Sequence, residues 1–379
     1  MSNRAMVRIA CAAAAIGACS ADACTIFRIT IAGRTLMGNN EAWNDPATKV
    51  WFFPAEPGKH GRVLFGYRNA YAQGGMNDQG LCYDWVAGYP NEWARDDSKP
   101  DTLDNLGERM LEHASSVDEA IAIFESCNYP GFSSARALIV DRSGDSAILG
   151  FEQGKLVVRR AEGCAQTLGW DEEASDARLR ALCESGEASL TVEDAVLAAS
   201  SVLGSCVQSG AYTTFYSNVY DTSSGEVHIF QFAGDVPQVT LNLADELAKG
   251  PHYYDLPDIH EQLASPPATD TKTMAETPPD PEACNAIAGA YEAPGGIRID
   301  FWAQDGRPMV RLPGEPEARP VHAASSTEYF LRVADVRFTF TISGDSRAAT
   351  VTVKTWETTF EAQRVGDAAP TRPAGAPGP

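Results

Sequence analysis

The chain of 379 residues is short of histidine, short of basic residues and without a long apolar run. Its six histidines (60, 113, 228, 252, 260 and 322) stand apart from one another. There is no His-Glu-x-x-His and no Cys-x-x-Cys, so the sequence gives no metal site and calls for no cofactor. No Gly-x-Ser-x-Gly occurs, which leaves the serine elbow of the α/β-hydrolases unsupported. Lys and Arg number 30 against 51 Asp and Glu, for a net charge of −21. Nucleic acid and anionic membrane surfaces are poor partners for such a chain, because both select a basic footprint. The longest apolar run, residues 9–19, spans eleven residues, well short of the roughly 20 that a bilayer-spanning helix needs. No transmembrane segment is expected.

Hydrophobic residues at 44% and charged residues at 21% are ordinary for globular protein. The length suits about two domains of roughly 150 residues. At the start, Arg4 and Arg8 precede the stretch IACAAAAIGAC, and Ala21 and Ala23 stand where a secretory signal needs small residues. This reads as a signal peptide over 1–23, and the protein is expected to be exported, periplasmic or secreted. Cutting after Ala23 removes Arg4, Arg8 and Asp22, leaves the mature chain at −22, and makes Cys24 its first residue. A competing reading stays open: Ile16-Gly17-Ala18-Cys19 resembles a lipobox, and acylation there would anchor the protein at Cys19.

A first-residue cysteine is a self-contained catalyst. The thiol is the nucleophile, and its own α-amine, with an ordinary pKa of about 7.7–8.0, is a base at neutral pH. No histidine is required.

Beyond Cys24, TIFRITIAG and TLMGNN form a predicted hairpin around Gly33, and short strands follow at KVWFF, RVLFGY and GLCYDWVA. Helices are predicted at about 103–113 and 116–126, with Ser116 and Glu119 as a capping box. Strands return at ARALIVDR, SAILGFE and KLVVRR, then helices at about 172–184 and 192–203, then strands at YTTFYSNVYD, EVHIFQF and QVTLNL. This order predicts an α+β fold, a four-layer αββα sandwich over 24–263. Five prolines mark 264–283 as a linker. Strong alternation over 284–365 predicts a small all-β barrel or sandwich, with Trp302, Tyr329, Phe330, Phe338, Phe340 and Trp356 as its core. Residues 366–379 are expected to be a disordered tail. Setting aside Cys11, Cys19 and Cys24, six cysteines remain (82, 127, 164, 183, 206 and 284), an even number that suits disulfides without selecting a pairing.

The ordered blocks CTIF, GNNEAW at 38–43, GGMNDQGL at 74–81, YSNVYD at 216–221 and LADELAKGPHYYDLP at 243–257 resemble the N-terminal-nucleophile linear amide C–N hydrolases. That group contains the choloylglycine hydrolases, the penicillin V acylases and acyl-coenzyme A:isopenicillin N acyltransferase. The resemblance implies the αββα fold and an acylase-type hydrolase for a small-molecule, non-peptide linear amide. It also implies Cys24 as nucleophile, Asn218 as a polar active-site residue and Asn39 as the replacement of an arginine. Asn40 is a weaker supporting position, with an Asx-type turn as its alternative role, as for Asn77. Backbone N–H groups at Ala87 and Gly88 are the expected oxyanion donors.

Two positions depart from the family pattern. Ala42 stands where an aspartate orients the N-terminal cysteine, and alternation is expected to turn Glu41 to the opposite face. Leu168 stands where relatives carry an amide. The alternative reading is therefore a catalytically impaired relative with a binding or regulatory role in the envelope. The export reading predicts that the purified exported chain begins at a free Cys24 by N-terminal sequencing; a chain beginning at an acylated Cys19 would favour the lipid-anchored alternative.

Overall fold

A computed structural model describes residues 24–368 apart from 32, 44, 88–92, 103, 170–171, 185–212, 232–238, 316–317 and 345. The expected signal peptide, the helix at 192–203, Cys11, Cys19, Cys206, Gly88 and most of the expected tail lie outside the described residues. The chain divides into an N-terminal unit ending at Thr273 and a C-terminal unit beginning at Met274.

The N-terminal unit opens with a hairpin, β1 (Thr25–Ile31) and β2 (Arg34–Trp43), turned at Gly33, whose φ of 79° suits glycine. A meander follows: β3 (Thr48–Phe53), β4 (Arg62–Tyr67), β5 (Ala72–Asn77) and β6 (Cys82–Ala87). Helices α1 (Leu106–His113) and α2 (Val117–Glu125) lead to β7 (Ala135–Val140), β8 (Ser146–Glu152), β9 (Lys155–Arg160) and β10 (Ala165–Gly169). After α3 (Glu172–Glu184) come β11 (Thr213–Asp221), β12 (Glu226–Gln231), β13 (Val239–Asn242) and β14 (His252–Asp255).

These strands form two sheets, both antiparallel throughout. One runs β10-β1-β2-β11-β12-β13 and the other β14-β3-β4-β5-β6-β7-β8-β9. Local chemistry starts the helices. The Asn105 side chain accepts from the backbone of Gly107 and Glu108 to cap α1, and the Ser116 hydroxyl accepts from Glu119 to cap α2. The Glu119 carboxylate returns the bond to the Ser115 N–H at 2.7 Å, one residue before the cap.

Three apolar clusters tie the elements together. Ile26, Met37 and Tyr220 of the six-stranded sheet pack with Phe52, Phe65 and Leu138 of the eight-stranded sheet. The other face of the eight-stranded sheet, with Trp51, Leu64 and Tyr83, packs with Met110, Val117 and Phe124 of α1 and α2. Phe27, Ile29 and Val219 pack with Leu179 of α3. Central strands are thus covered on both faces, which is why β1 and β4 are buried almost continuously instead of alternating.

Disulfide chemistry is selective. Cys164, the residue before β10, is bonded to Cys183 in α3, whereas Cys82, Cys127 and Cys284 are buried outside any disulfide. Among the described residues no helix is long and apolar enough to cross a membrane.

The C-terminal unit is a nine-stranded antiparallel sheet. Its edge strands, Arg319–Pro320 and His322–Ala323, are separated by the single residue Val321, so the sheet curls into a nearly closed barrel. Tyr291, Phe301, Tyr329, Phe338 and Phe340 fill it with edge-on ring contacts. Trp302 and Trp356 were expected in this core but lie outside it. Alternation turns Phe301 inward and leaves Trp302 half-buried beneath Arg311, and Trp356 sits exposed beyond the end of a strand.

The unit boundary falls inside the expected linker at 264–283, and residues 268–273 are built into the N-terminal unit. Asp270 accepts from Lys49 at 2.9 Å and from the Trp51 indole at 3.0 Å. Fully buried Lys272 donates to Glu108 at 2.6 Å and to the Ala70 carbonyl at 3.0 Å, with the Trp51 ring alongside. Composition marked the prolines and missed this latch. Lys272→Ala leaves the Glu108 carboxylate without its buried partner and is expected to cost about 3–5 kcal/mol in urea unfolding; a solvated linker would show no change.

Candidate active site

The register of β1 builds the site. Thr25 pairs with Asn40 of β2 on one side and with Gly169 of β10 on the other. Cys24, one residue earlier, therefore comes level with Glu41. Facing residues of an antiparallel pair share a side of the sheet. Cys24 is half-buried against the inter-sheet cluster, and Glu41 is buried beside it.

This overturns the expectation drawn from alternation. The carboxylate on the face of Cys24 is Glu41, one position before Ala42, because the pairing register aligns residues 24 and 41. Glu41 Oε2 accepts from Asn39 Nδ2 at 3.0 Å, Oε1 accepts from the Tyr67 hydroxyl, and the carboxyl is in hydrogen-bonding contact with Cys24. Burial pushes the Glu41 pKa up, and the Tyr67, Asn39 and Cys24 bonds partly offset it. Burial and the adjacent Glu41 hold the Tyr67 hydroxyl well above 10, so it remains a donor.

Strand β11 adds the next row. Tyr216 pairs with Glu41 and Asn218 with Asn39, across a register shift between Thr214 and Tyr216. Asn218 is fully buried, and neither its oxygen nor its nitrogen has a well-formed hydrogen bond among the described residues. The same holds for Asn39 Oδ1 and for the hydroxyls of Tyr216 and Tyr220. Buried polar groups are nearly always satisfied, so these atoms form an unusual concentration of unmet polarity in the inter-sheet core near Cys24.

The eight-stranded sheet contributes Asp84. It is buried on the side of β6 that carries Cys82 and Val86 into the inter-sheet core. Its Oδ1 accepts from the Trp85 N–H at 2.7 Å, and Oδ2 has no partner among the described residues. Burial first and Glu41 second raise its pKa well above the usual carboxylate range. Room for this carboxyl comes from Gly74, where a Cβ would lie 2.1 Å from Asp84 Oδ2.

Of the expected site residues, Cys24, Asn39 and Asn218 are brought together. Asn40 is not with them: it sits in mid-strand on the opposite face and accepts from the Ser217 hydroxyl at 2.6 Å. Asn77 is the turn residue, accepting from the Gln79 and Leu81 N–H groups while donating to the Leu111 and Ala114 carbonyls. Ala87 ends β6 half-buried, and Gly88 lies outside the described residues. Leu168 pairs with Ile26 and is an apolar member of the inter-sheet core. Among the described residues no group of three His, Cys, Asp or Glu is arranged to hold a metal.

Sequence reasoning missed Tyr67, Asp84 and Tyr216. Asp84 had a legible signal, as the lone charge in the apolar strand CYDWVA at an inward position. Tyr67 and Tyr216 had none, because an inward tyrosine reads as core.

No family model matches the chain, and no curated protein matches it in sequence. Solved structures do. The chain is similar to penicillin V acylase from Agrobacterium tumefaciens at 17% identity and a TM-score of 0.51, over 62% of this chain and 91% of that one. It is similar to a variant of conjugated bile acid hydrolase from Clostridium perfringens at 14% identity and a TM-score of 0.51, over 61% and 97%. At these identities the likeness is one of fold.

The close approach of β10 to Cys24 gives a direct check. At Gly169, with φ 131°, a Cβ would lie 2.2 Å from the Cys24 carbonyl oxygen. Gly169→Ala is expected to destabilise the protein by more than about 1 kcal/mol in denaturant unfolding.

Proposed function

We propose that this chain, which has the fold of the N-terminal-nucleophile linear amide hydrolases, is an exported member of that group, hydrolysing a small-molecule, non-peptide linear amide through Cys24. The observation that carries the reading is the row on one sheet face. A half-buried thiol heads β1, a buried carboxyl meets it from β2, and the Asn218 amide of β11 stands beside them with no well-formed hydrogen bond among the described residues.

In this mechanism residues 1–23 are removed and the Cys24 α-amine becomes the base. It takes the thiol proton as sulfur attacks the acyl carbonyl. The tetrahedral oxyanion accepts from the Asn218 amide and from backbone N–H groups at Ala87 and Gly88. The leaving amine takes the proton back from the α-amine, leaving a thioester on Cys24, and water activated by the same amine then releases the acid. Glu41 takes the orienting role that Ala42 has lost, which favours catalysis over the impaired-relative reading. The Cys164–Cys183 disulfide supports export, since such bonds persist in oxidising compartments. The apolar clusters, with helices on the outer face of each sheet, support the four-layer αββα arrangement.

With simple N-acyl amides as probes, Cys24→Ser is expected to bring turnover down to the uncatalysed background at unchanged folding. Turnover equal to wild type in that variant would sink the proposal.

A further inference from the structure

The bond from Tyr67 to Glu41 has no task in the mechanism above. It crosses between the sheets, because Tyr67 ends β4 of the eight-stranded sheet and Glu41 belongs to β2 of the six-stranded sheet. Alternation along β4 turns Val63, Phe65 and Tyr67 toward the six-stranded sheet. Phe65 stacks on Tyr216 with 5.7 Å between ring centres, and Tyr216 is the residue that pairs with Glu41. A ring contact between the sheets thus sits two residues along β4 from Tyr67. Both ends of the bond are buried, with Tyr67 5% exposed and Glu41 3%.

Glu41 is held at both oxygens. Its Oε1 accepts from the Tyr67 hydroxyl, and Oε2 accepts from Asn39 Nδ2 at 3.0 Å. The terminal torsion of a glutamate side chain is soft. One bond leaves the carboxyl plane free to turn, and a second from another direction stops it. A carboxylate has about four acceptor positions over its two oxygens. The two bonds fill one on each oxygen and leave the others to Cys24, which the β1–β2 register brings level with Glu41. The hydroxyl also supports the charged form of Glu41 against its burial.

We propose that Tyr67 is a positioning residue for the nucleophile: from the opposite sheet, its hydroxyl fixes the Glu41 carboxylate in the orientation that holds Cys24. This deepens the reading of Cys24 as nucleophile and rests on it. The titratable groups around Glu41 are Cys24, Tyr67 of β4, Tyr216 of β11 and Asp84 of β6, and the mature chain adds the α-ammonium of Cys24 to them. A carboxylate held against Cys24 opposes loss of a proton from the thiol and from the ammonium alike. Loosening it therefore lowers the pH at which Cys24 becomes reactive. A tyrosine that only tied the sheets together would change stability on losing its hydroxyl and leave that pH in place.

The test is alkylation of Cys24 by iodoacetamide in the purified mature protein, located by peptide mapping and followed against pH. Glu41→Gln removes the charge and should lower the midpoint by about one unit or more. Tyr67→Phe removes a single oxygen and should lower it by about half a unit. In the double variant Tyr67→Phe should add nothing to Glu41→Gln, because its route to Cys24 is gone. A second measurement needs no change at Tyr67. A hydroxyl proton shielded from water and bonded to a carboxylate resonates far downfield, so wild type should show such a proton resonance and Glu41→Gln should lack it.

The proposal is overturned if folded Tyr67→Phe keeps the wild-type midpoint, or if Tyr67→Phe lowers the midpoint as much beside Glu41→Gln as it does alone. It is also overturned if wild type lacks the downfield resonance or Glu41→Gln retains it, a result that stands even where Tyr67→Phe does not fold. Alkylation needs no amide. A protein that shows these shifts yet hydrolyses no amide would refute the proposed function and leave the action of Tyr67 on Cys24 standing.

Discussion

The antiparallel pairing of β1 with β2 is the constraint on which the site depends. With Thr25 opposite Asn40, Cys24 meets Glu41, and a slip of one residue would send Glu41 and Asn39 to the face occupied by Phe27 and Val219. Two neighbours hold the register. Strand β11 continues it, aligning Tyr216 and Asn218 with the same two residues, and β10 closes the other edge through Gly169. The disulfide between Cys164 and Cys183 fastens that outer strand to α3.

The inner faces of the two sheets have an unusual division of labour. Toward Ile26, Met37 and Phe65 they form an ordinary apolar core; toward Cys24 they carry Asn39, Glu41, Tyr67, Asp84, Tyr216 and Asn218, all buried. A buried polar atom without a partner costs about 1–3 kcal/mol, so several together are a substantial local destabilisation. Stability comes from elsewhere in the unit, including the apolar faces under α1 and α2 and the latch of Lys272 on Glu108. A polar site inside a stiff apolar frame holds its groups in place in advance, which is the arrangement the proposed catalysis needs.

Much of this was legible in the sequence, for identifiable reasons. The hairpin after Cys24 and the Ser116 cap follow from local turn chemistry and short-range periodicity. Cys24 itself stood out through the expected cleavage site before it. What failed to show was information about pairing. Alternation along β2 says that residues 41 and 42 face opposite ways, but only the register with β1 says which of them meets the thiol. The same gap hid Asp84, which reaches the site from the other sheet, and Lys272, whose burial depends on Glu108, a residue far away in the chain. Trp302 and Trp356 show the converse: aromatic character suggested core, and their positions on the strands left them outside it.

In the proposed reaction the first thiol of the mature chain takes the acyl group. The most direct measurement is acid-quenched intact mass spectrometry, with peptide mapping, of the mature protein mixed with an activated acyl amide. One acyl adduct per chain is expected, labile to hydroxylamine as a thioester is, on the N-terminal peptide at Cys24. An adduct mapped to any other residue, or hydrolysis through a Cys24 that never carries the acyl group, would contradict it.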